Sequence, residues 1–389
     1  MNKDSSSQQK RVKQVFRKKT KREESPNLAN PIVEAATKRG SLTIGLDLGD
    51  RTSQYCMLNQ AGEMVEEGSV ETTKAGLEKQ FKGEPRCRIA LEVGSHSPWV
   101  SRLLTELGHE VIVANPRQLQ VISQSSRKND KADAETLARL ARADVKLLRP
   151  VKHRSAEAQE HLLVIRVRAE LVDVRTSLIN SARGLAKAFG ERLPGCDADQ
   201  MGEAKLTGLP VELKEPLQVL MKEIETLTKA IEGLNDKVDK LAKDEYPETR
   251  YLTQIFGVGN LIALTFILTI DDPDRFEKSR DVGAYVGLRP KQRESGKSKP
   301  QLGISKEGDR YLRKLLVQAA QCHLGARAPD TDLNRWGRRL AGRGGKNAKK
   351  RAVVAVARKI GILLHRLWVD KAEYEPLRQG KKEQQPKAA

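Results

Sequence analysis

The sequence has four cysteines, Cys56, Cys87, Cys196 and Cys322, and none of them stands in a CxxC pair. That excludes a zinc ribbon and a disulfide framework, and a reduced, cytosolic setting is the expectation. The six histidines are scattered and form no HExxH. The apolar stretch Leu261 to Ile270 is too short to span a bilayer. The N-terminus is basic but lacks the apolar segment of a secretory signal, so no membrane partner is expected. Gly296-Lys297-Ser298 has the last residues of a P-loop, but Lys291 stands where the required earlier glycine would be.

What is present begins with charge. The chain has 389 residues, 38% of them apolar, and a net charge of +20. That length and composition suffice for two or three domains with cores. Residues 1–40 hold 11 Lys/Arg against 4 acids, residues 41–248 hold 30 against 33, and residues 249–389 hold 30 against 14. A near-neutral front between basic ends points to a polyanionic partner, most simply nucleic acid. The plainer alternative is a basic surface that only aids solubility.

Four carboxylates carry the chemistry. Asp47 sits in the apolar run Leu42 to Gly49, and Glu92 ends the run Arg88-Ile89-Ala90-Leu91-Glu92. Asp130 and Asp133 are spaced i, i+3 at the start of a predicted helix, so they share one face. Buried acids without partners are costly. Acids at the ends of two core strands plus a helix face suggest a site for a hard metal, of the kind that acts on phosphates. Asp130 as a simple helix cap is the bland alternative.

The patterning predicts a basic, disordered arm over residues 1–40 and an α/β domain over 41–150. Three strands joined by tight turns (Leu42–Leu48, Ser53–Leu58, Glu63–Val70) are followed by a helix, a strand over Arg88–Leu91, a helix, a strand over Glu110–Ala114 and a helix. That is the element order of a ribonuclease H-like domain, with the first strand central and the fourth beside it. Residues 151–248 carry two apolar stripes. One runs through Val164, Val167, Leu171, Val174, Leu178, Ala182, Leu185 and Phe189. The second runs through Leu213, Leu217, Leu220, Ile224, Leu227, Ile231, Leu234, Val238 and Leu241, in heptad steps of four and three. An antiparallel hairpin and a coiled coil between protomers both fit. Residues 249–370 form a mainly helical domain. Its Gly257-Val258-Gly259 is similar to the turn of a helix-hairpin-helix module, whose backbone N–H groups hold phosphate; an ordinary tight turn fits equally. Residues 371–389 make a basic tail.

These residues resemble the DEDD transposases of bacterial insertion sequences, recombinases guided by a bridge RNA. The matching segments are Gly45-Leu46-Asp47, Leu91-Glu92-Val93-Gly94, Asn115-Pro116 and Lys128 to Ala134. In the last domain they are Phe256-Gly257-Val258-Gly259, Gly287-Leu288-Arg289-Pro290, Glu294-Ser295-Gly296 and Ile304-Ser305-Lys306-Glu307-Gly308. The resemblance spans roughly residues 41–370, and residues 1–40 stand as an extension to the family pattern. It implies a RuvC-like first domain, a coiled coil, and a C-terminal transposase domain with a nucleophilic serine. Asp47, Glu92, Asp130 and Asp133 then take the metal-binding roles, with Mg²⁺ or Mn²⁺, and Ser295 is the nucleophile. It further implies dimers that pair into tetramers on DNA and guide RNA, with the acids of one protomer meeting the serine of another. Gly257, Gly259, Arg289, Lys291, Arg293, Lys297 and Lys306 are the candidate nucleic-acid contacts.

Three other readings compete. Gly45-Leu46-Asp47-Leu48-Gly49 also resembles the first phosphate motif of actin-like ATPases, but no Asp-x-Gly-Gly-Gly loop follows. A structure-selective nuclease would use water in place of Ser295. A non-catalytic binding protein would have no need of the complete acid set.

Overall fold

Strands β1 (Thr43–Asp47), β2 (Thr52–Leu58), β3 (Met64–Glu71), β4 (Arg88–Glu92) and β5 (Glu110–Ala114) form one mixed sheet in the order β3-β2-β1-β4-β5. The short links make β1, β2 and β3 antiparallel. The links that carry helices make β4 parallel to both β1 and β5. This is the arrangement expected from the element order, with β1 central and β4 beside it. The computed structural model describes residues 42–115, 130–295, 298, 300 and 302–378. The predicted basic arm, Pro116, Lys128, Asn129, Lys297 and the end of the basic tail lie outside the described residues.

The chain divides into two units, one through His153 and one from Arg154. In the first, helices α1 (Lys74–Phe81) and α2 (Ser97–Glu106) cover one face of the sheet. Leu77, Phe81, Val100 and Leu104 pack there on Ile44, Leu46, Ile89 and Leu91. Helix α3 (Asp130–Ala143) covers the other face, burying Ala134, Leu137, Ala138 and Ala141. That i, i+3, i+4, i+7 row is the narrow apolar stripe of a helix lying flat on a sheet.

In the second unit, α4 (Ala156–Ala188) and α5 (Val211–Asp244) pack as an antiparallel hairpin. Ile179, Ala182 and Ala186 meet Leu217, Met221 and Ile224 at one end. Ala158, Leu162 and Ile165 meet Val238 and Ala242 at the other. The buried row of α5 keeps Leu213, Leu217, Ile224, Ile231 and Val238 from the predicted stripe. Its second row is Met221, Thr228 and Ala242, and Leu220, Leu227, Leu234 and Leu241 are left half-buried. Two polar contacts cross the hairpin beside this second row, Arg168 donating to Asn235 and Arg175 to Thr228. The stripe predicted for α4 shifts further. Val167, Val174, Leu185 and Phe189 are exposed, Ala182 of that stripe is buried, and Ala158, Leu162, Ile165 and Ala169 are buried outside it.

Helix α6 (Asn260–Ile270) runs through the centre of the C-terminal helices. It packs with α7 (Arg310–Leu324) and α9 (Ala348–Asp370), and α8 (Asp332–Ala341) closes the layer through Leu333. Among the described residues, no helix is long and apolar enough to cross a membrane.

Candidate active site

Strand register brings two of the four acids together. Leu46 of β1 pairs with Leu91 of β4, so Asp47 and Glu92 are the next residues on adjacent parallel strands. Alternate strand residues face opposite sides. Asp47 therefore shares a face with Thr43 and Gly45, and Glu92 shares it with Arg88 and Ala90. This is the face that α3 covers.

The residues of that face are small. A Cβ on Gly45 would stand 1.9 Å from the carbonyl oxygen of Ala134 and 2.5 Å from the Ala138 nitrogen, so the helix backbone rests directly on the strand. Arg88 holds the far end of α3 by donating to the Ala141 carbonyl at 3.2 Å. Asp130 lies four residues before Ala134, and Asp133 four before Leu137. Both acids thus extend the sheet-facing side of α3 at its first turn.

The electrostatics record the same grouping. Burial, and then the charges of Asp130 and Asp133, push the Asp47 carboxyl up to about 6. Burial, followed by Asp47 and Asp133, raises Glu92. Among the described residues, no three His, Cys, Asp or Glu side chains stand close enough together to hold a metal ion as they are. The four carboxylates therefore share an electrostatic neighbourhood without forming a closed coordination shell. The donors are all oxygens and repel one another, which a hard divalent cation would relieve, so the residues suit such an ion in kind. His96, just past Glu92, accepts from Trp99 Nε1 at 3.1 Å and lies 3.4 Å from Asp50.

Ser295 belongs to the second unit. It is exposed and makes an antiparallel bridge with Ser298, exchanging backbone bonds of 3.3 and 3.0 Å. The segment leading to it is laddered to the returning chain: Lys291 N–H donates to the Gly303 carbonyl, and Ser305 N–H to the Arg289 carbonyl. Gly287 roots this ladder at φ 71°, with the Glu307 carbonyl oxygen 2.1 Å from where a Cβ would lie. Only glycine fits that turn. Arg289, Lys291, Arg293 and Lys306 are exposed along it. Gly257 (φ 81°) and Gly259 form the turn before α6, and Gly259 is the uncapped N-cap. The helix on the other side of this turn is a single one, Thr249–Leu252.

Sequence reasoning missed Gly45 as the residue that admits α3, although a glycine inside an apolar strand is a signal of close approach. It also missed Trp336 and the lysines of α9, which line a groove beside Pro290 and Ile304.

Comparison with known proteins places these two regions in one family. Residues 249–333 match the model described as "Transposase IS116/IS110/IS902 family". Residues 44–189 match a transposase model of the DEDD IS110 type. The transposase for insertion sequence element IS1111A of Coxiella burnetii is 30% identical over 334 residues, covering 81% of this chain and 86% of that protein. A probable family 20 transposase of Pseudomonas aeruginosa is 30% identical over 346 residues, covering 86% and 98%. The transposase for insertion sequence element IS1328 of Yersinia enterocolitica is 28% identical over 286 residues, covering 72% and 83%.

Proposed function

The chain belongs to the IS116/IS110/IS902 family of insertion-sequence transposases, and on that footing we propose that it cuts and rejoins DNA through Ser295. Its DEDD domain carries a ribonuclease H-like fold, its substrate is DNA, and its cofactor class is a divalent metal. The observation that carries the finer reading is the meeting of Asp47 and Glu92 at neighbouring strand ends, where burial first and then neighbouring charge raise both, Asp130 and Asp133 acting on Asp47, and Asp47 and Asp133 on Glu92.

Asp47, Glu92, Asp130 and Asp133 would hold Mg²⁺ or Mn²⁺, which when bound supplies Lewis acidity toward the oxygens of a scissile phosphate. Ser295 Oγ forms an oxygen–phosphorus bond as its proton passes through solvent to the departing strand-end oxygen. The phosphodiester oxygen of one strand end leaves as a hydroxyl. The phosphoserine bond keeps the energy of the broken linkage, so a second strand-end hydroxyl can displace the serine and restore a phosphodiester without ATP. A serine hydroxyl needs such activation, being a poor nucleophile at its free pKa. Arg289, Lys291, Arg293 and Lys297 neutralise the phosphate around it, and Gly257, Gly259 and Lys306 hold backbone phosphates further away.

Ser295 and the four acids belong to different units, which is compatible with a serine delivered by a companion protomer. The half-buried row Leu220, Leu227, Leu234 and Leu241, seven residues apart on α5, supports pairing of protomers along the hairpin. A bridge RNA supplies the target choice in this reading, and the basic C-terminal half supplies its contact surface.

The test is a suicide substrate carrying one strand end, incubated with Mg²⁺ and resolved on denaturing gels. Wild-type protein is expected to form a protein–DNA adduct, and Ser295→Ala to bind DNA and form none. Cleavage without any adduct in the wild type would favour the water-using nuclease. An adduct that persists in Ser295→Ala would move the nucleophile to Ser298.

A further inference from the structure

Between the ladder after Gly287, helix α8 and the start of α9 lies a groove of ≈ 1140 Å³. That exceeds the roughly 300–1,000 Å³ of small-molecule sites, so it suits an extended ligand. Its floor is apolar: Pro290, Ile304, Trp336, Leu340 and Val354. Seven Lys and Arg residues line it, Lys346, Lys350 and Lys359 among them, and no Asp or Glu does so among the described residues. Lys359 Nζ sits 5.1 Å from the Trp336 ring centroid, so the ring already has a cation over one face.

The charge arrangement costs stability unless an anion offsets it. The first turn of α9 has no acidic residue and instead carries Lys349, Lys350 and Arg351. Cations at that end oppose the helix dipole. Arg358 adds to the imbalance, since its Nε is buried without a hydrogen-bond partner among the described residues.

We infer that this groove binds an unpaired nucleic-acid strand, its phosphates along the lysines and a base on Trp336. The inference rests on the reading that the protein works on nucleic acid, and it adds which form of nucleic acid and where. A duplex keeps its base faces stacked inside and offers phosphates and groove edges. It would satisfy the lysines and leave Pro290, Trp336 and Leu340 unfilled. An unpaired strand presents both a charged backbone and π-faces, the combination that single-strand sites use. Of the seven cations all but Arg358 are exposed, and Lys346 and Lys350 can be altered without touching the core.

The experiment uses the full-length protein in chelator, where no cutting occurs. Fluorescence anisotropy is measured with labelled oligothymidylate, oligouridylate and a duplex, each about 16 nucleotides or base pairs long. Trp336→Leu is expected to weaken binding of at least one single strand about ten-fold, and Trp336→Phe to weaken it less than about three-fold, because stacking on an aromatic is what is lost. Duplex affinity changes less than about two-fold in both. Lys346→Gln with Lys350→Gln lowers the single-strand salt slope by about 1.4, and serves where a Trp336 variant fails to fold. The preferred oligonucleotide identifies the strand as DNA or RNA. Equal losses on duplex and single strand overturn the proposal, as does unchanged single-strand binding in the lysine variant, the result expected if an acidic protein segment fills the groove. Ser295→Ala keeps single-strand binding while losing the adduct, which separates failure here from failure of the serine mechanism.

Discussion

Gly45 and Ala134 touch through backbone alone: the strand has no side chain at this point, and the helix carbonyl occupies the space where one would be. Gly45→Ala is therefore expected to push α3 off the sheet, at a cost of about 1–3 kcal/mol. Chemical denaturation of the N-terminal unit measures this. Because Asp130 and Asp133 ride on α3, strand cleavage should fall together with stability. A variant of wild-type stability would show that the helix does not press on the strand.

Asp47 gives a pH signature. Its folded value of about 6 lies above the ordinary 3.8, so the fold disfavours the ionised form. The stability it contributes is complete below about pH 3.8 and is lost as pH rises through about 6. Asp47→Asn, which mimics the neutral acid, should melt higher than wild type at pH 7 in chelator and match it near pH 4. Mg²⁺ should raise the wild-type melting temperature at pH 7 and leave the variant nearly unmoved. A variant that is no more stable than wild type in chelator would remove the charge crowding.

The exposed ladder before Ser295 predicts a salt effect. Replacing Arg289, Lys291 and Arg293 together by Gln should lower the slope of log affinity for duplex DNA against log salt by about 2–3, near 0.9 for each phosphate that is no longer neutralised. Binding measured from low to moderate salt decides it, and an unchanged slope would place the duplex elsewhere.

His323 links two segments of the C-terminal unit. Its Nδ1 donates to the Phe256 carbonyl at 3.3 Å, and its Nε2 accepts from Thr331 Oγ1 at 2.9 Å. That pairing uses the neutral ring, and burial lowers its pKa, with the Phe256 carbonyl opposing the shift. Its contribution is present above the usual 6.5 and is lost as pH falls below it. Thermal melts should show the C-terminal unit weakening below pH 6.5, and His323→Gln should be less stable at pH 7.5 and lack that pH dependence. A dependence that survives in the variant would assign it to another group.

Much of the N-terminal unit was legible because β1, β4 and β5 are short apolar runs and a turn signal separates β2 from β3 at Asn59-Gln60-Ala61-Gly62, where Gly62 N–H returns to the Asn59 carbonyl. The placement of Asp47 beside Glu92 followed from element order, and the register then fixed it. The hairpin was harder. Leu220 and Met221 are equally apolar, and which of them is buried depends on how α5 meets Ile179, Ala182 and Ala186 of α4, a long-range fact that no single helix contains. The groove was illegible for a similar reason, since Pro290, Trp336 and Lys350 are neighbours only after the ladder and two helices have packed.

Helices of 33 and 34 residues extend about 50 Å at 1.5 Å per residue, roughly the length of fifteen base pairs at 3.4 Å each. The α4–α5 arm is thus a ruler graduated in helical turns. Deleting one heptad from each limb keeps the same faces opposed and brings the far loop inward by about 10 Å, or some three base-pair steps.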